Sequence, residues 1–261
     1  MKLLLINSSY RDNGNTGTIM KLLEHHLVEK VKKQEESLEI DHVWLKDLDI
    51  TTCKGCRVCF QISESKCPLK DDLLKLYEKM KQADGIVLGS PVYVEDVNGS
   101  MKNFIDRMAF SCHRPFLAGK PVLLIVTSGS FATNHAVRTM SGAISAWGGI
   151  VSGSSSYQMG AIMKEETAKR RFSEKARSQS LLLIQAIKDK KPSVLSLVSF
   201  ADQQRYWLKE ENQNSIDFLY WKEKGWLEKK CYYYDTKIKH SIRMLLARIL
   251  GQTAFRLYAK G

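Results

Sequence analysis

Lys2-Leu3-Leu4-Leu5-Ile6-Asn7 runs directly into Ser8-Ser9-Tyr10-Arg11-Asp12-Asn13-Gly14-Asn15-Thr16, and Ile19, Leu22, Leu23 and Leu27 follow at helical spacing. A short apolar run, a turn rich in hydroxyls, Gly and Asn, and an amphipathic pattern read as strand, loop and helix. The first turn of a helix carries N–H groups that have no partner inside the helix, which makes it a natural anion site. Ser9, Asn15 and Thr16 add side-chain donors and Arg11 adds a charge, so this loop is a candidate phosphate site. The alternative is an ordinary strand-to-helix turn with Asn15 or Thr16 as N-cap. The loop lacks both the Gly-Lys-Ser/Thr of a Walker loop and the G-x-G-x-x-G of a dinucleotide fold.

Apolar runs alternate with helical patterns as far as residue 190. Strands are expected at 38–44, 84–89, 121–127 and near 150–157, and helices at about 71–82, 100–110, 135–147 and 166–190. The run 84–89 is nearly all apolar, as a central parallel strand requires. Five strands alternating with helices imply an α/β fold with a doubly wound parallel sheet. Ligands of such sheets bind beyond the carboxyl ends of the strands, where the strand order reverses. Loops 8–16, 90–99 and 128–134 each follow a strand directly, so all three fall on one edge. Pro91 stiffens the second loop, and Val92 and Tyr93 offer a flat apolar contact to a ring. Asp106 and Arg107 read as a structural ion pair or as helix-surface charge.

The 261 residues suit one large domain, or a domain with an extension. A hydrophobic content of 44% and a charged content of 26% are ordinary for a soluble globular chain. No apolar run approaches the ~18 residues of a membrane span. The short apolar stretch after Lys2 lacks a cleavage-site pattern, so it reads as a first core strand, and a cytoplasmic protein is expected. The net charge of +12 admits nucleic acid, an anionic membrane or an anionic cofactor as partner. For residues 1–190, where both signs interleave, a solvated basic surface is the favoured explanation.

Four of the six cysteines, Cys53, Cys56, Cys59 and Cys67, are spaced C-x2-C-x2-C-x7-C, and Pro68 follows the last. Disulfides do not fit a cytosolic context. Zinc prefers two separated pairs. Three thiols at this interval with a fourth shortly after suit a cubane cluster, in which each thiolate reaches a different iron. Zinc and free redox-active thiols stay open as alternatives. Lys54, Arg57, Lys66 and Lys70 would offset the charge of a thiolate-ligated cluster. Cys112 and Cys231 read as packed thiols. The histidines show no metal-ligand spacing and no triad is visible, so no catalytic side chain is assigned and a cofactor must carry the chemistry.

The Ser-Ser-Tyr-Arg-x-x-Gly-Asn-Thr loop, the Gly-Ser-Pro-Val-Tyr loop and the helix Met101-Lys102-Asn103-Phe104-Ile105-Asp106-Arg107 resemble the flavodoxin-like NAD(P)H-dependent FMN reductases. The resemblance covers about residues 1–190. That family usually has Gly where this chain has Ser8, and Pro where it has Tyr10. The resemblance implies FMN, with its phosphate held by Ser9, Arg11, Asn15 and Thr16. Its ring would lie against Pro91, Val92 and Tyr93 and against Ser128, Gly129 and Ser130. The cysteine spacing is similar to that of iron–sulfur flavoproteins, a branch of the same group, which implies a [4Fe–4S] cluster on Cys53, Cys56, Cys59 and Cys67. The expected activity is an FMN-dependent oxidoreductase that passes electrons from NAD(P)H or a reduced carrier to a small-molecule or protein acceptor. An electron carrier or redox sensor without small-substrate turnover, docked to a membrane or partner, is the alternative.

Residues 191–261 exceed what the sheet needs. Pro192 ends the preceding helix, and the stretch 194–208 is apolar, with Phe200, Tyr206 and Trp207. Phe218, Tyr220, Trp221, Trp226 and Tyr232-Tyr233-Tyr234 form a second aromatic group. This density implies a mostly helical extension packed over the flavin domain or against another subunit, in a homodimer or larger. Residues 237–261 carry six Lys/Arg and no Asp or Glu, and Ile238, Ile242, Leu245 and Ile249 share one helical face. The favoured expectation is that this face packs on the domain or on its dimer mate, with Lys239 and Arg243 toward solvent. A helix lying on an anionic membrane surface is the alternative. Nucleic-acid binding is not expected, because no recognition motif accompanies the charge.

Overall fold

β1 (Lys2–Asn7) is buried along Leu3, Leu4, Leu5 and Ile6, as a strand flanked on both faces must be. The computed structural model describes residues 1–234 and 242–258, with side chains as far as Gly251. After β1 come α1 (Asn15–Lys32), β2 (Glu39–Trp44), α2 (Val58–Gln61), α3 (Leu73–Gln82), β3 (Gly85–Tyr93) and β4 (Asp96–Val97). α4 (Gly99–Arg107), β5 (Pro121–Ser128), α5 (Asn134–Ala146), β6 (Ile150–Gln158) and α6 (Glu165–Asp189) complete this part. The parallel strands are ordered β2-β1-β3-β5-β6, the flavodoxin-like order, with the reversal between β1 and β3. β4 was not expected. It is a two-residue antiparallel strand on β3, closed by Val94 and Glu95 at φ 49° and 69°.

Strand alternation sends successive side chains to opposite faces. Leu4, Ile6, Ile86, Leu88, Leu124 and Val126 pack under α3, α4 and α5, against Leu76, Phe104 and Met140. Leu3, Leu5, Val87, Leu123 and Ile125 face α1 and α6, against Leu23, Leu27 and Leu183. Gly89 lets α1 sit close on β3: a Cβ there would lie 2.8 Å from the Met20 sulfur and 3.1 Å from Thr16 Cγ2.

The extension contributes α7 (Val194–Leu208), α8 (Ile216–Glu223) and α9 (Ile242–Tyr258). Ser193 caps α7 by accepting from the Ser196 N–H. A third core gathers Phe200, Trp207, Trp221, Trp226, Tyr233 and Tyr234 around Ile150 of the sheet edge. The Phe200 ring lies 4.7 Å from that of Tyr234 and 5.7 Å from that of Trp221. These aromatic residues are therefore buried within the chain, over the sheet domain. The buried Gln204 amide organises the connection beneath them, donating to the Trp226 and Cys231 carbonyls at 2.6 and 3.0 Å.

The tail does not bury its predicted apolar face within its own chain. α9 packs on α7 through Met244, Ala247 and Gly251, whereas Ile242, Leu245 and Ile249 are 79%, 52% and 54% exposed. Close approach explains the choice of face. A Cβ on Gly251 would lie 2.8 Å from both Ala201 Cβ and the Val198 carbonyl oxygen, a separation that a row of Ile and Leu could not reach. Ile238 and Lys239 lie outside the described residues. Among the described residues no helix is long and apolar enough to cross a membrane.

Candidate functional site

Strand register brings the three suspected loops together. Asn7 pairs beside Gly89 and Pro91 beside Thr127, so β1, β3 and β5 end at the same level. A cavity of about 150 Å³ spans these ends, lined by Ser9, Arg11, Asn15, Thr16, Pro91, Val92, Tyr93, Ser128 and Gly129. Ser130 stands apart from the lining, exposed, with its N–H donating to Ser128 Oγ at 3.1 Å. Gly14, Thr127, Gly160 and Ala161 also line the cavity and were missed. Gly160 and Ala161 follow β6 on the same edge, so a fourth strand-end loop was there to be found.

The N-cap of α1 is Gly14, not Asn15 or Thr16, and no side chain caps the helix. Its first turn also carries no acidic residue. The unpartnered N–H groups of that turn and the positive end of the helix dipole therefore lie open at the cavity. The side chains expected to hold phosphate mostly have other partners. Thr16 Oγ1 hydrogen-bonds Thr127 Oγ1 at 2.7 Å in a buried pair. Asn15 donates to the Gly160 carbonyl at 3.1 Å and accepts from the Met163 N–H at 2.9 Å, which clips the loop after β6 to α1. Ser9 Oγ accepts from the Arg11 N–H at 3.1 Å and so shapes the loop. Arg11 donates one guanidinium N–H to the Ala161 carbonyl at 3.2 Å, leaving most of its five donors available.

Ser8 is fully buried and its hydroxyl has no partner among the described residues. Its carbonyl accepts from Asn98 Nδ2 at 2.5 Å and from Ser100 Oγ at 2.9 Å. Asn98 also caps α4 through the Met101 N–H, so α4 and the loop after β1 are locked as one unit. A polar cradle at an uncapped helix suits a phosphate, and Pro91–Tyr93 beside Ser128–Gly129 suits a flat ring. The residues present fit a phosphorylated flavin.

The Cys loop lies at a second cavity, of about 180 Å³, lined by all four of Cys53, Cys56, Cys59 and Cys67. Lys54 and Arg57 border it, and Phe60, Leu73 and Phe110 back it. Gly55 and Arg57 adopt φ of 65° and 61°, turning the chain sharply between the thiols. Cys53 and Cys56 are exposed; Cys59 and Cys67 are half-buried, and burial pushes the Cys59 thiol up. Among the described residues no three His, Cys, Asp or Glu side chains converge on one point, and the four thiols are instead spread around the cavity. Lys66 and Lys70 do not line the cavity. Cys231 is buried and donates to the Tyr233 carbonyl, and Cys112 is half-buried, as packed thiols should be.

Two buried arginines hold this loop. Arg107 pairs with Asp71, not with Asp106, and donates to the Thr51 carbonyl at 2.6 Å. Asp106 instead takes a surface bond from Lys102. Burial works to raise the Asp71 carboxyl, but hydrogen bonds from Arg107 and the Leu73 and Thr51 N–H groups outweigh it and hold it below the usual carboxylate range. Arg114 donates to the Cys59 carbonyl at 2.6 Å and to Glu64 at 3.1 Å, and pairs with Asp217 of α8. His113 Nδ1 shares Asp217 at 2.8 Å. Asp71, Arg114 and Asp217 were not singled out from the sequence, because lone charges give no signal until the fold pairs them.

The sequence profile of the family described as NADPH-dependent FMN reductase matches residues 1–163. An iron-sulfur flavoprotein of Archaeoglobus fulgidus is 42% identical over 130 residues, 49% of this chain and 60% of that protein. An iron-sulfur flavoprotein of Clostridioides difficile is 28% identical over 200 residues, 76% of this chain and 85% of that one. The solved structure of RosB with a bound 8-demethyl-8-formylriboflavin-5'-phosphate intermediate shares the fold, with a TM-score of 0.56 at 16% identity over 81% of this chain and 88% of that one. The chain spans 60%, 51% and 64% of the lengths of three curated relatives that it matches, all iron-sulfur flavoproteins.

Proposed function

The chain belongs to the NADPH-dependent FMN reductase family, and from that premise we propose that residues 1–190 form an FMN-dependent oxidoreductase domain to which residues 191–261 add an extension. The observation that carries this reading is the uncapped N-terminus of α1 opening onto a cavity that joins the ends of β1, β3 and β5. FMN phosphate would rest on the first-turn N–H groups of α1 and on Arg11. Ser9, Asn15 and Thr16 shape the cradle. Pro91, Val92 and Tyr93, with Ser128 and Gly129, would line the ring. Bound FMN supplies exchange between two-electron and one-electron transfer. NAD(P)H or a reduced carrier would serve as donor.

Cys53, Cys56, Cys59 and Cys67 would hold a [4Fe–4S] cluster, and Arg107 and Arg114 keep their loop in place. All six cysteines are free thiols, in keeping with a cytoplasmic setting. Exposure of Cys53 and Cys56 favours a second reading, an electron carrier whose cluster is presented to a partner protein. The spectrum of anaerobically purified protein, with iron and sulfide analysis, tests the cofactors. Flavin bands without iron would leave the oxidoreductase and remove the cluster; zinc in the Cys loop would do the same. Steady-state NAD(P)H oxidation with quinone or ferricyanide separates turnover from carriage.

A further inference from the structure

The outward face of α9 is apolar. At about 100° per residue, Met244, Ala247 and Gly251 occupy one narrow arc against α7, and Ile242, Leu245, Leu246, Ile249 and Leu250 fan over roughly 140° on the opposite side. Each of these five side chains is more than half exposed, from 52% at Leu245 to 79% at Ile242. The helix cannot roll to bury them, because Gly251 sits in van der Waals contact with Ala201 and the α7 backbone. Arg243 and Arg248 stand at the two borders of the fan. Arg248 is anchored there, with its guanidinium 4.7 Å from the Tyr232 ring centroid and donating to the Lys229 carbonyl at 2.8 Å.

We propose that this face docks on the surface of an anionic lipid bilayer. A contiguous exposed apolar patch of this kind marks an interaction site in a folded protein. An apolar stripe bordered by cations is the arrangement of a helix that lies in the interfacial plane, with Arg stems reaching up to lipid phosphates. Charge selects the occupant. Residues 236–261 hold six Lys/Arg and no Asp or Glu. A two-fold contact with a second copy would set this patch against itself and oppose like charges, with no acid in the segment to pair with them. An anionic leaflet supplies the missing counter-charge. This inference is independent of the flavin and cluster assignments.

Vesicle flotation of the full chain, purified with whatever cofactors it carries, tests it. The protein should float with vesicles containing phosphatidylglycerol and stay behind with pure phosphatidylcholine. Leu245→Asp combined with Ile249→Asp should abolish flotation. Both side chains are exposed, so thermal unfolding of that variant should match the parent. Arg243→Gln should lower partitioning into anionic vesicles about fivefold, the share of one cation near such a surface. Failure of the parent protein to float with anionic vesicles would overturn the proposal. So would flotation unchanged in the Leu245/Ile249 variant. A parent that is oligomeric in light scattering and becomes smaller in that variant, with no lipid binding by either, would assign the face to a second copy instead.

Discussion

Arg114 and Asp217, 103 positions apart in the chain, form a buried ion pair that ties the C-terminal extension to the backbone of the Cys loop. Through it α8 braces the Cys59 carbonyl and Glu64, although the extension supplies none of the four thiols. Asp217→Ala should leave Arg114 buried without its main counter-charge, a loss of about 3–5 kcal/mol. Amide exchange should rise in residues 57–67 more than in β1 or β5. A uniform rise across the sheet would show that the pair supports only global stability.

The flavin cradle leads to a different expectation for Arg11 than for Asn15. Arg11→Ala removes a cation from the rim of the cavity and one exposed hydrogen bond to the Ala161 carbonyl. It should weaken FMN binding by roughly tenfold to a hundredfold, about 1.5–3 kcal/mol for a hydrogen bond to a charged group, with little change in melting temperature. Asn15→Ala frees Gly160 and Met163 from α1. It should loosen residues 159–163 in amide exchange even without flavin. Flavin fluorescence titration and exchange measurements together check both outcomes.

Asp71 makes stability depend on pH. Its carboxyl is held below the usual carboxylate range in the folded chain. Its contribution is therefore present above the unfolded value of about 4 and is lost as pH falls through the lower folded value. Asp71→Asn should destabilise the protein at neutral pH, where Arg107 is left unpaired, and should flatten the loss of stability below about pH 4. Denaturant melts at neutral and acidic pH measure this. A mutant whose acid dependence parallels the parent's would rule the pair out as its source.

The β3–β4 turn holds two L-residues in left-handed backbone. Val94 is β-branched, 98% exposed, and sits at φ 49° beside Glu95 at φ 69°, a two-residue hairpin turn for which Asn-Gly is preferred. Val94→Asn with Glu95→Gly should stabilise the chain by about 1–2 kcal/mol. The gain should show as a higher melting temperature. FMN affinity should change little unless strain in this turn holds Tyr93 in position for the ring.

Periodicity and spacing determined the α/β sheet, the five parallel strands, the edge on which a ligand would sit and the grouping of four cysteines. These are local properties: alternation, 3.6-residue repeats and turn residues are written within a few positions of one another. Strand order and register then brought Ser9, Arg11 and Pro91–Tyr93 to one cavity, as the loop positions implied. Only the tertiary structure decided what the individual side chains do. Asn15 and Thr16 look like phosphate donors in the sequence, yet Gly160, Met163 and Thr127, more than a hundred positions away, take their hydrogen bonds. Arg107 finds Asp71 and Arg114 finds Asp217 only after folding. The tail helix gives the clearest case. Its amphipathic stripe was legible, but which side meets the protein depends on how closely two helices can approach, and the close contact of Gly251 with Ala201 put Met244, Ala247 and Gly251 inward and left Ile242, Leu245, Leu246, Ile249 and Leu250 facing out.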